Sequence, residues 1–118
     1  MKIIVASGTG FCFGVRRATE KTEKALEGTS RVQTFGQLIH NPEYTSYLND
    51  KGVTVADNIQ ELNCDKLITR SHGLPKEIEE EIKETGIEIV DATCPLVKNV
   101  QRLAEDFSIK GYTVLLLG

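Results

Sequence analysis

No apolar run in the sequence approaches the roughly 20 residues needed to cross a bilayer, and Met1-Lys2 leads straight into a strand-like run instead of a signal sequence. A cytoplasmic protein with no membrane partner is the expectation. Basic residues are in the minority: Lys and Arg total 14 against 17 for Asp and Glu, and a net charge of −3 gives no electrostatic footprint for nucleic acid. Cysteines are few and odd in number. Three widely separated thiols build no disulfide framework, which leaves catalysis, metal ligation or burial as their roles. Neither an internal repeat nor a low-complexity linker breaks the chain. At 118 residues, 40% hydrophobic and 26% charged, it has the length of one globular unit and is too short for two independent ones.

What is present alternates between two periodicities. Residues 2–6 form a β-branched aliphatic run, the pattern of a strand buried on both faces, broken by Ser7-Gly8-Thr9-Gly10. Over 14–26 the spacing turns helical, with Val15, Ala18, Thr22, Ala25 and Leu26 on one face and Arg16, Arg17, Glu20, Lys24 and Glu27 outside. Residues 31–35 read as a second strand. Asn41-Pro42-Glu43 then opens a helix whose Tyr44, Tyr47 and Leu48 recur at helical spacing. A brief strand follows at 53–56, a helical turn at 59–62 and a strand at 66–69. The run 75–85 is a helix with Ile78 and Ile82 inward, and 87–90 is a strand. The spacing predicts a further helix over 95–107, with Val97, Val100, Leu103, Ala104 and Phe107 recurring at helical spacing, and a last strand over 112–117. Such alternation predicts an α/β fold, a mostly parallel sheet flanked by helices, with ligand sites at the carboxyl ends of the strands.

Cys12, His40, His72 and Cys94 all follow such strand ends. Cys94 lies in Asp91-Ala92-Thr93-Cys94-Pro95-Leu96-Val97, a strand-to-helix turn in which Thr93 or Cys94 suits the N-cap and Pro95 the first helical position. Unpaired N–H groups and the positive end of a helix dipole favour a thiolate there, suited to metal or to nucleophilic attack. Burial as a small hydrophobe is the plain alternative. Cys12 sits in Gly10-Phe11-Cys12-Phe13-Gly14-Val15, where glycines let backbone approach a ligand and the two Phe rings can exclude water or simply pack. His40 and His72 are the only histidines, each in a predicted polar loop. Arg16, Arg17 and Lys21 read as a solvated face. Cys64 precedes its strand and belongs to the opposite edge, so the three cysteines are not three ligands of one site.

Other constellations fit less well. Gly8-Thr9-Gly10 with Gly14 is one position out for a dinucleotide fingerprint, and Phe35-Gly36-Gln37 stands where an acidic ribose partner belongs. Structural zinc uses closely paired Cys and His, and none are paired here. A Cys94–His72 hydrolase pair leaves Cys12 and His40 unexplained.

Taken together, the loops around Cys12, His40-Asn41, Ser71-His72-Gly73 and Cys94 closely resemble, in order and spacing, the amino-terminal part of the IspH/LytB family, over the whole chain. Members of that family are 4-hydroxy-3-methylbut-2-enyl diphosphate reductases of the methylerythritol phosphate route to isoprenoids. The resemblance implies reductive dehydroxylation of an allylic diphosphate to isopentenyl and dimethylallyl diphosphates at a 4Fe-4S cluster, fed by an electron donor such as ferredoxin or flavodoxin. It implies Cys12 and Cys94 as two cluster ligands and His40 and His72 as diphosphate-binding histidines. The third cysteine, a third histidine and the proton-donating glutamate are expected beyond Gly118, so no catalytic residue is assigned within the chain, and Cys64 matches no ligand. It also implies the first module of a three-module enzyme: one α/β unit over 1–118, with the first module to about 90 and the second beginning over 91–118. A nucleotide-binding α/β module and a non-catalytic association domain are the competing readings.

Overall fold

The computed structural model describes residues 1–28 and 31–117. Its centre is a four-stranded, all-parallel sheet in the order β2-β1-β3-β4, formed by β1 (Val32–Phe35), β2 (Val53–Ala56), β3 (Lys66–Thr69) and β4 (Glu88–Val90). Helix α1 (Phe13–Leu26) precedes β1, and α2 (Pro42–Asp50) links β1 to β2. A 3-10 turn (Ile59–Glu61) lies between β2 and β3, α3 (Lys76–Glu84) links β3 to β4, and α4 (Pro95–Ile109) follows β4.

The sheet separates two apolar layers, as the two-residue alternation of strands requires. On one face Val32, Val53 and Ile68 pack with Ala18 and Ala25 of α1 and Leu48 of α2; on the other, Leu67 packs with Ile82 of α3 and Cys64. Helix α1 turns inward the face its spacing predicts: Ala18, Thr22 and Ala25 are buried. Gln33 is a buried polar residue with a structural task. Its Oε1 accepts from the Asn63 N–H at 2.6 Å and its Nε2 donates to the Glu61 carbonyl at 3.3 Å, which moors the loop carrying Cys64.

Two expected strands are absent. Residues 2–6 and 112–117 are apolar enough for strands, yet neither pairs with the sheet, and Ile3, Ile4, Val5, Leu115 and Leu116 are exposed. β-Propensity records the fit to a neighbouring strand, and these runs have none. Helix α4 departs in the same way: its apolar face is present, but none of its residues is buried. The radius of gyration, 16.7 Å, accordingly exceeds the roughly 13.5 Å of a compact chain of this length. Among the described residues no helix is long and apolar enough to cross a membrane.

Candidate functional site

In a parallel sheet every strand ends on the same edge, and the order β2-β1-β3-β4 reverses direction between β1 and β3. Chains leaving neighbouring strands towards opposite faces open a crevice there. His40 follows β1 and His72 follows β3, and their rings meet across that crevice with centroids 5.7 Å apart. Asn41 caps α2 beside His40, its Oδ1 accepting the Tyr44 N–H at 3.0 Å, with Pro42 in the first turn. Arg70, also at the exit of β3, donates from Nε to the Gly73 carbonyl at 3.3 Å and adds positive charge to the crevice.

Both candidate ligand cysteines stand at helix N-caps, Cys12 before α1 and Cys94 before α4, and neither makes a side-chain cap hydrogen bond. Cys94 N–H donates to the Ser71 carbonyl at 2.9 Å, so its turn lies directly against the His72 loop. Gly14, two residues after Cys12, lies against Cys94 so closely that a Cβ on it would fall 2.6 Å from Cys94 Sγ and 2.9 Å from Cys94 Cβ. Cys12 is exposed and Cys94 half-buried. All four expected site residues therefore share one edge. Cys64 lies at the other, before β3, roughly 13 Å away for the strand's length alone, and burial pushes its thiol up. Phe11 packs edge-on against Tyr44 with ring centroids 5.8 Å apart, which ties the Cys12 loop to α2.

Gly14 carries a prediction. Replacing a helical glycine with alanine ordinarily stabilises by roughly 0.5–1 kcal/mol. Here the contact with Cys94 Cβ cannot be relieved by turning the thiol, so Gly14→Ala must shift a backbone. We expect a net destabilisation of about 1–3 kcal/mol in chemical denaturation.

The Cys94 turn is held by residues that no spacing pattern marks. Asp91 Oδ1 accepts the Thr93 N–H at 2.9 Å and the Thr69 hydroxyl at 3.3 Å, while Oδ2 pairs with Lys98 of α4. Lys21 of α1, expected on a solvated face, instead donates its ammonium to the Asp91 carbonyl. Gln101 of α4 donates to the His72 carbonyl at 3.1 Å. Gly73, at φ +84°, closes the same corner, where a Cβ would meet Thr93 at 3.2 Å. An aspartate directly after a strand, in turn-forming company, is the one local signal for this arrangement.

Burial would raise the Asp91 carboxyl, but the Lys98 hydrogen bond and those from Thr93 outweigh it and hold it at about 2, below its ordinary 3.8. A carboxylate depressed on folding contributes stability that is full above its unfolded value and is lost as pH falls through the folded one. The side chain is 39% exposed, so the contribution is modest. We expect the denaturation midpoint to drop between about pH 4 and about pH 2 more steeply for the native chain than for Asp91→Asn.

A family model described as LytB protein matches residues 3–118. The chain belongs to the LytB family. It is 42% identical over 123 aligned residues to the 4-hydroxy-3-methylbut-2-enyl diphosphate reductase of Caldanaerobacter subterraneus subsp. tengcongensis, which covers all of this chain and 43% of that protein. A solved structure of (E)-4-hydroxy-3-methyl-but-2-enyl diphosphate reductase, described as the terminal enzyme of the non-mevalonate pathway, superposes with a TM-score of 0.85 at 40% identity. The match covers 98% of this chain and 42% of that one. The E-1-hydroxy-2-methyl-but-2-enyl-4-diphosphate reductase of Plasmodium falciparum superposes at 0.82 with 28% identity, over 90% of this chain and 34% of that one. The LytB resemblance carried by the four loops is thus borne out, as is the parallel sheet flanked by helices. The chain spans less than half the length of these LytB relatives.

Proposed function

We propose that this chain is the amino-terminal part of a 4-hydroxy-3-methylbut-2-enyl diphosphate reductase, in which Cys12 and Cys94 supply two thiolates to a 4Fe-4S cluster and His40 and His72 hold the substrate's diphosphate. The observation that carries this reading is the convergence of those four residues on the edge where β1 and β3 diverge. The residues suit the group. Soft thiolates favour iron–sulfur ligation, neither sulfur is committed to a helix cap, and glycine at position 14 leaves no side chain between α1 and the Cys94 sulfur. When bound, such a cluster supplies electrons and a Lewis-acidic iron. His40 and His72 can donate imidazole N–H groups to phosphate oxygens, and α2 starts beside His40, so the positive end of its dipole faces the same edge.

Two thiolates fall short of three. Among the described residues no group of three or more His, Cys, Asp or Glu is placed to hold a metal ion. The third thiolate and the proton donor are assigned to the greater part of the relatives' length that this chain does not span. Ferredoxin or flavodoxin is the class of electron donor the reaction calls for. We read residues to about 90 as the first of three modules and 91–118 as the start of the second. In support, α4 buries none of its residues while the layers on either side of the sheet are filled without it. The nucleotide-binding alternative loses support, because Gly8 and Gly10 follow no strand and so lack the strand-turn-helix setting such glycines need.

The test is to change His40 or His72 to alanine in a chain extended to the relatives' full length. Losing a charge-assisted hydrogen bond should weaken binding of the allylic diphosphate by about tenfold or more, with the cluster's visible absorption unchanged. Loss of that absorption in either variant would reassign the histidine as a ligand.

A further inference from the structure

Three consecutive peptide N–H groups lead into the helix that Cys94 caps, and each has its own acceptor. Ala92 N–H donates to Thr69 Oγ1 at 2.9 Å, Thr93 N–H to Asp91 Oδ1 at 2.9 Å, and Cys94 N–H to the Ser71 carbonyl at 2.9 Å. The outer two acceptors belong to the exit of β3, the segment that runs on into His72. Asp91 supplies the middle one and also takes the Thr69 hydroxyl, which lets that hydroxyl accept from Ala92 while donating to the carboxylate. Its second oxygen reaches Lys98, one turn into α4. Ala92 and Thr93 are buried, so an N–H deprived of its acceptor there would find little water to replace it.

We propose that Asp91 is the positioning residue of the Cys94 turn, bracing the cysteine from both sides and locking it to the β3 exit that carries His72. One carboxylate thereby sets the placement of a candidate cluster ligand relative to a candidate phosphate ligand. The importance of that placement rests on the function proposed above. The contact network does not, and it can be tested with no cluster present.

The three cysteines make the test internal. In the 118-residue chain, alkylation by iodoacetamide, mapped residue by residue by mass spectrometry, reads exposed Cys12, half-buried Cys94 and buried Cys64 in one sample. Asp91→Ala should raise the Cys94 rate relative to Cys12 by about five- to tenfold, the scale of local opening after loss of a hydrogen bond, while Cys64 stays protected. Asp91→Asn keeps an acceptor oxygen for Thr93 and Thr69 and should stay within about twofold of the native rate. An unchanged Cys94 rate in Asp91→Ala, or an Asn variant as reactive as the Ala variant, would overturn the proposal. Should Asp91→Ala also expose Cys64, the nearly isosteric Thr69→Val decides. It removes the hydroxyl that Asp91 and Ala92 share, and it must raise Cys94 reactivity with Cys64 still protected. A native Cys94 rate there, or Cys64 opening in step, contradicts the positioning role. Failure here leaves the histidine test of function standing, and the converse holds as well.

Discussion

Cys12→Ser or Cys94→Ser, introduced into a chain extended to the full length of its relatives, is expected to abolish both the cluster's visible absorption and turnover, whereas Cys64→Ala leaves both near the native level. The contrast comes from polarity within the sheet. Cys12 and Cys94 cap the two helices that meet at Gly14, on the edge where the strands end. Cys64 sits where β3 begins, among Leu67 and Ile82, with its thiol pushed up by burial. Such a thiol resists forming the thiolate that ligation requires. Serine offers a harder oxygen and replaces a thiolate poorly in an iron–sulfur site. Removing the Cys64 sulfur costs only packing, about 1–2 kcal/mol of stability for a small buried group. Anaerobic reconstitution with iron and sulfide, followed by absorption spectroscopy, distinguishes the three variants. A Cys64 variant that fails to take up the cluster would contradict the assignment.

Much of this site was legible because its signals are local or follow from strand polarity. Asn41-Pro42 and Cys94-Pro95 mark helix starts by capping chemistry alone, and the structure puts α2 and α4 at those points. Alternation of strands and helices implied a parallel sheet, and a parallel sheet sorts residues into those before and those after a strand. That sorting separates Cys64, before β3, from Cys94, after β4; Cys12 follows no strand, because residues 2–6 form none, and it reaches the same edge through α1, whose Gly14 lies against Cys94. What escaped the reading depends on contacts between distant segments. Residues 2–6 and 112–117 have strand-like side chains, but a strand exists only beside another, and local pattern cannot report a missing neighbour. Helix α4 starts where its spacing predicts, yet none of its residues is buried, and Phe107 of its apolar face meets the nearby Tyr112 ring, with centroids 5.8 Å apart. The contact between Gly14 and Cys94 spans 80 positions of sequence, and the Asp91 network joins α1, β3 and α4 through side chains whose spacing carries no period.

Reductive loss of a hydroxyl as water needs a proton delivered at the leaving oxygen, and a useful donor has a pKa near the working pH. Asp91, the carboxylate beside the Cys94 turn, is held at about 2 with both oxygens engaged, so it carries no proton to give at neutral pH. Among the described residues only two cysteines, Cys12 and Cys94, converge on the edge where the strands end, whereas the proposed 4Fe-4S cluster with one open iron would use three. A cluster assembled on it alone should be absent, labile or completed by an outside thiol. The decisive measurement is turnover of the allylic diphosphate under a strong reductant, after anaerobic reconstitution, by the 118-residue chain and by its full-length extension in parallel. The extended chain should yield isopentenyl and dimethylallyl diphosphates and the short one none. Comparable rates from both would mean that the catalytic residues already lie within these 118 positions, and the assignment of Cys12, Cys94, His40 and His72 as half of a larger site would be wrong.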